Sequence, residues 1–292
     1  MINGVLAATI GGLVALVFWG ISDWLASKNS KNYSNVEVNM SIHFPGAVIL
    51  AVIFLLSGQD IPQTNQILTM MLAAGFFTSA YVLFIKALSI GQTGIVVPLI
   101  NTYPLFTLLA SFVFLGIAFS SLKISAMLII IAGAILLGTE RLNKKKMREH
   151  FSQEVIMSVL AAIFLGIDFF FLNTVVDVLP WETVASFTAI ATAFYIMVLS
   201  FIKNKTMALR SLKNLHKNKM GLASGITLTV GAIGFFAGAE ISGNLIIPSV
   251  IASASVLATS FLARIIDKEK LIITKRIGAI FVVFGVALLN FS

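Results

Sequence analysis

The sequence predicts an all-α membrane protein of ten transmembrane helices, arranged as two inverted five-helix repeats. Three observations carry that expectation. Ten apolar runs of near-spanning length divide a chain of 292 residues that is 58% hydrophobic and only 11% charged. Nineteen of the twenty Lys and Arg residues fall in every second loop between those runs. The second half of the chain also repeats the first, weakly, at a shift of about 150 residues.

The runs come first. Bilayer hydrocarbon is roughly 30 Å thick, so a spanning helix needs about 20 mainly apolar residues. The candidate spans are Leu6–Leu25, Val36–Leu56, Ile67–Leu88, Ile95–Leu115, Ser121–Leu137, Val155–Leu172, Val184–Phe201, Gly221–Ala239, Leu245–Ile266 and Arg276–Leu289. In hydrocarbon the backbone must satisfy its own hydrogen bonds, so the runs are read as helices. A soluble domain carries about twice this charged fraction. The first run lacks a basic leader and is longer than a typical signal core, so it reads as a mature span. The chain has no cysteine, which removes disulfides and Cys-based metal sites.

The charges give an orientation. The first loop holds Lys28 and Lys31, and the third has Lys86 at its edge. The fifth holds Arg141, Lys144, Lys145, Lys146 and Arg148. The seventh runs from Lys203 to Lys219, and the ninth holds Arg264, Lys268, Lys270, Lys275 and Arg276. Lys123 alone breaks the alternation. Short loops rich in Lys and Arg stay in the cytoplasm. The odd loops are therefore placed inside and both termini outside, in a cytoplasmic membrane. The net charge of +8 is then a topology signal and not a sign of nucleic acid.

The repeat explains the count. Leu72, Ala73, Gly75, Ala87 and Pro98 recur as Leu222, Ala223, Gly225, Ala237 and Pro248. The first span matches the sixth through Ala15, Phe18, Gly20 and Ile21 against Ala161, Phe164, Gly166 and Ile167. Residues 1–138 and 151–292 are read as the two halves, joined by a basic linker at 139–150. Five is odd, so the second half enters the membrane upside down. Such inverted repeats recur in transporters, with the substrate near the midplane between the halves.

Phe18-Trp19-Gly20, then Ala87-Leu88, Pro98, Pro104, Phe114-Leu115-Gly116 and Gly133 together resemble the EamA-type drug/metabolite transporters. That resemblance implies ten helices, two inverted halves, a central cavity and alternating access. It implies secondary transport of a small organic metabolite, with amino-acid export first and sugars or phosphorylated solutes as the alternative. The family's usual Glu after Leu-Gly is Ile117 here, and its counterpart in the second half is Asp267 or Glu269.

Polar groups within spans are costly and mark function or packing. Asp23 ends the first span: either an interfacial carboxylate or, with Lys86 of the third span, an inner gate. His43 lies a third of the way into span two. Imidazole changes charge near neutral pH in water, so it is a candidate proton carrier; the other reading is a neutral ring bonded to a carbonyl. Asp168 is the one carboxylate clearly embedded in the second half, either a coupling site or a hydrated group at the cavity mouth. Asn101 and Tyr103 flank a turn that Pro98 and Pro104 deprive of amide donors. Pro45 and Pro248 are the other expected helix kinks. Trp19, Tyr81 and Tyr195 complete the substrate-binding candidates, because buried aromatic residues with polar tips need partners. Glu37, at the head of span two, reads as solvated. The Lys203–Lys219 stretch reads as a short surface helix or a disordered basic loop.

No phosphate-binding glycine loop, dinucleotide fingerprint or zinc-protease motif occurs, so neither an enzyme nor a cofactor or metal site is expected. The expected partners are a small-molecule substrate, membrane lipid and protons as candidate coupling ion, with no nucleic acid, and the chain acting as a monomer or homodimer. A membrane-embedded enzyme or a passive channel is a remote rival.

Overall fold

The computed structural model describes residues 4–116, 120–138, 153–243, 245–268 and 273–290. Ile117, the 139–150 linker and Glu269 lie outside the described residues. All the regular structure among those described is helical. The helices are α1 (Gly4–Ser30), α2 (Asn35–Ser57), α3 (Thr64–Ile90), α4 (Thr93–Ile100), α5 (Tyr103–Leu115) and α6 (Ser121–Gly138). The second half contributes α7 (Gln153–Asn173), α8 (Trp181–Lys213), α9 (Lys219–Ser242), α10 (Ile246–Ser253), α11 (Ser255–Ile265) and α12 (Ile273–Asn290). A 3-10 turn, Leu215–Lys217, separates α8 from α9.

Among the described residues, seven segments are long and apolar enough to cross a bilayer: α1, α2, α3, α4 taken together with α5, α7, the first part of α8, and α9. Shorter apolar stretches lie in α6, across α10 and α11, and in α12. Leu55, Leu56, Ile61 and Ile202 are more than three-quarters exposed, as an outer surface bathed in lipid requires. This is a multi-pass membrane protein.

Local chemistry sets the helix ends. Ser34 and Glu37 form a reciprocal cap on α2, with Ser34 N–H donating to Glu37 Oε2 at 3.0 Å and Glu37 N–H to Ser34 Oγ at 3.3 Å. Glu37 is thus a capping residue, not merely a solvated one. Asn218 accepts from Gly221 N–H at 3.0 Å to start α9. The basic stretch after Phe201 is neither a separate surface helix nor a disordered loop. It continues α8 to Lys213, giving a helix of 33 residues, about 50 Å at 1.5 Å per residue.

The fourth span breaks where its prolines direct. Pro104 offers no N–H to Ile100 O, and its ring would strike that carbonyl, so α4 stops at Ile100 and α5 restarts at Tyr103. The amide of Asn101 bonds back to Val97 O instead, through Nδ2 at 2.9 Å. Two other prolines behave differently. α2 runs unbroken through Pro45. Pro248 lies in the first turn of α10, where a missing N–H costs no intrahelical bond, so it is not a kink. The interruption falls at Ala254, whose ψ of 2° leaves the helical region and whose N–H turns to Ile251 O at 3.1 Å.

The dominant pairings are α1 with α9, α3 with α7, α2 with α8 and α6 with α12. α1 also packs on α10 and α11, while α7 packs on α4 and α5. Small residues permit the closest crossings. A Cβ on Gly225 of α9 would stand 2.1 Å from Ile42 O of α2. Short polar side chains then link backbones across helices: Ser186 to Leu50 O at 2.7 Å, Thr259 to Gly20 O at 3.0 Å and Thr107 to Gly166 O at 3.1 Å.

Candidate functional site

The helices line a partly open cavity of about 150 Å³. Each wall follows helical spacing, which puts residues three and four apart on one face. α2 supplies His43, Gly46, Ala47 and Leu50; α7 supplies Leu165, Asp168, Phe169 and Leu172; α8 supplies Ala185, Thr188, Ala189 and Thr192. α1 adds Trp19 and Asp23, and α3 adds Phe77, Tyr81 and Phe84. The two helix breaks meet at the same place, through Asn101, Tyr103 and Ser255. Ser255 Oγ lies 3.4 Å from Asn101 Oδ1.

The aromatic side chains interlock. Tyr103 stacks on Phe169 with centroids 4.6 Å apart, and Phe169 meets Phe235 edge-on at 5.7 Å. Trp19 lies against Phe235 at 5.2 Å and donates from Nε1 to Leu228 O at 3.2 Å. His43 stands edge-on to Tyr81 at 4.6 Å and to Phe77 at 5.6 Å. His43 Nε2 and Tyr103 Oη are buried and have no hydrogen-bond partner.

Both embedded carboxylates reach this cavity. Asp168 is 2% exposed and Asp23 8%. Among the described residues neither has a hydrogen-bonding or ion-pair partner, and no Lys or Arg lines the cavity. No three of His, Asp and Glu gather at metal-binding distance among the described residues.

The structure therefore brings together seven of the residues singled out from the sequence: Trp19, Asp23, His43, Tyr81, Asn101, Tyr103 and Asp168. It leaves out two. Tyr195 is half-buried between α8 and α3, its ring against Gly75 and Phe194. Lys86 is exposed on the far side of α3, so it does not pair with Asp23 and forms no gate with it. The polar link at that end of α1 is a different one. Lys28 Nζ forms an ion pair with Asp267 Oδ1, and Trp24 Nε1 donates to Asp267 Oδ2 at 3.0 Å. Phe169, Thr188, Thr192 and Thr229 were not foreseen as lining residues. Phe169 carried one available signal, its position next to Asp168 and three residues from Gly166.

The profile of the EamA-like transporter family matches residues 6–139. Over those residues the chain is similar to the EamA-like transporter family. The match points to a membrane transporter of small molecules. A solved structure described as "Crystal structure of protein" shares the fold over 97% of this chain and 96% of its own, with a TM-score of 0.61 and 16% identity. No curated protein matches the chain. The EamA-like match ends near the close of α6, while the shared fold covers 97% of the chain.

Proposed function

We propose that the chain is a secondary transporter that moves a small organic metabolite across the cytoplasmic membrane by alternating access. The observation that carries this is the cavity itself: two partnerless carboxyls and unsatisfied His43 and Tyr103 atoms face one small space, where two spans are broken. Buried polar groups without partners are costly, and a bound solute would satisfy them.

Two inverted halves, 1–138 and 151–292 joined by the 139–150 linker, would rock about this space. Helix pairing supports the arrangement. Exchanging each span with the one five places on turns the α1–α9 contact into α7–α3, and maps α2–α8 and α6–α12 onto themselves. The same exchange turns α1 on α10 and α11 into α7 on α4 and α5. The alternation of basic loops supports cytoplasmic odd loops and external termini. Asp168 and His43 are the coupling candidates, with protons as the coupling ion.

The family resemblance by itself points to amino-acid export. A phosphorylated solute fits poorly, because no base lines the cavity to receive it. Counterflow in proteoliposomes tests the carrier reading. A carrier gives saturable uptake of labelled solute driven by unlabelled solute inside. Flux that never saturates would make the chain a pore.

A further inference from the structure

We infer that the solute held in this cavity is a compact organic cation, an alkyl or aryl amine with no free carboxylate. The inference rests on the carrier reading of the same cavity and narrows it. Asp23 and Asp168 bring carboxyl oxygens into the cavity with no protein cation beside them and no hydrogen bond made to them. An ammonium group brings N–H donors and a positive charge together, which is what two such acceptors lack. The rings of Trp19 and Tyr81 add faces that attract a cation.

Apart from the unpartnered Tyr103 hydroxyl and His43 ring, both neutral, the cavity offers a carboxylate little. Ends of broken helices often receive one, but the donors at these breaks are already engaged. Asn101 N–H goes to Val97 O at 3.1 Å, Thr102 N–H to Leu99 O at 3.1 Å and Leu105 N–H to Thr102 O at 3.0 Å. Pro104 has no N–H. At the second break Ala254 N–H bonds Ile251 O at 3.1 Å and Leu257 N–H bonds Ala254 O at 2.9 Å. Asn101 Nδ2 is likewise committed to Val97 O at 2.9 Å. Placed here, an α-carboxylate would lie beside two carboxyls with no Lys or Arg to pair with it. The cavity volume of about 150 Å³ is of the order that accepts a single benzene ring.

The test compares isosteres on the purified wild-type protein by thermal shift: 2-phenylethylamine against phenylalanine, and isopentylamine against leucine. Each pair differs by one carboxylate. The expected result is stabilisation by an amine at a concentration at least tenfold below that of its amino acid. Asp168→Asn and Asp23→Asn should each weaken the amine at least tenfold. An amino acid acting at equal or lower concentration than its amine overturns the inference, as does a failure of both amines to shift the melting temperature. The wild-type comparison decides the matter even where a variant does not fold. Counterflow of the same amines reports separately: binding without counterflow leaves the cation site standing and removes the carrier reading. Saturable counterflow of leucine with no response to isopentylamine keeps the carrier and removes the cation.

Discussion

Gly231 is a position where one added methyl group should disturb the cavity wall through Trp19. A Cβ there would stand 2.3 Å from Trp19 Cδ1 and 2.5 Å from Trp19 Nε1, where ordinary contact begins at 3.4 Å. The indole cannot slide aside freely, because Nε1 is bonded to Leu228 O at 3.2 Å and the ring lies on Phe235. Overpacking of this kind costs about 1–3 kcal/mol, and losing the indole hydrogen bond adds about 1 kcal/mol. Gly231→Ala should therefore destabilise by roughly 2–4 kcal/mol by thermal or chemical unfolding in detergent. Gly75 is the internal control. A Cβ there meets only Tyr195 Cε2 at 3.8 Å, so Gly75→Ala should be neutral or gain about 0.5–1 kcal/mol from lower backbone entropy. If the cost at Gly231 comes from the indole, Trp19→Leu should relieve most of it in the double variant. A Gly231→Ala protein as stable as Gly75→Ala, or a cost unchanged in the Trp19→Leu background, would refute the reasoning.

Three further outcomes follow from the geometry. Asp267→Asn removes the ion pair with Lys28 and weakens the Trp24 bond; the partly exposed pair is worth about 0–1 kcal/mol. Its clearer effect should be faster thiol labelling of an Ala189→Cys protein from the side that carries Lys28, and an unchanged rate would mean that this link holds nothing closed. Lys86→Gln should leave solute affinity and exchange as they are, since Lys86 faces away from the cavity; a tenfold loss would restore its pairing with Asp23. Pro104→Ala supplies the missing donor to Ile100 O and allows α4 and α5 to join. Exchange in proteoliposomes should fall at least tenfold with folding intact, and an undiminished rate would show that transport does not use the break.

Much of the frame was legible because hydrocarbon thickness and backbone hydrogen bonding leave few choices. Each of the ten apolar runs corresponds to helix, and Pro98 with Pro104 marked the break at Asn101 and Thr102. The break at Ala254 left no mark, because no proline sits beside it and Pro248 is too near the start of α10 to matter. The extension of α8 was hidden by its charges, which read as a loop although Lys and Arg are good helix formers. In the site, polar groups inside apolar spans were a sound guide. Trp19 and Asp23 share a face four residues apart, and both reach the cavity. Tyr195 and Lys86 could not be excluded in the same way. A span that is apolar all round gives no stripe to show which face turns inward, so only packing places Tyr195 against Gly75 and Lys86 outward. Thr188 and Thr192 escaped notice because a threonine in an apolar helix so often bonds its own backbone, as Thr188 does with Val184 O.

The chain's lack of cysteine makes the central claim directly measurable. Ala189 lies on the cavity wall of α8, so Ala189→Cys places one thiol in an otherwise unreactive protein. A membrane-impermeant thiol reagent should modify it when added to either face of oriented vesicles, and saturating solute should slow both reactions. Modification from one face only, whatever the solute, would contradict alternating access to this cavity.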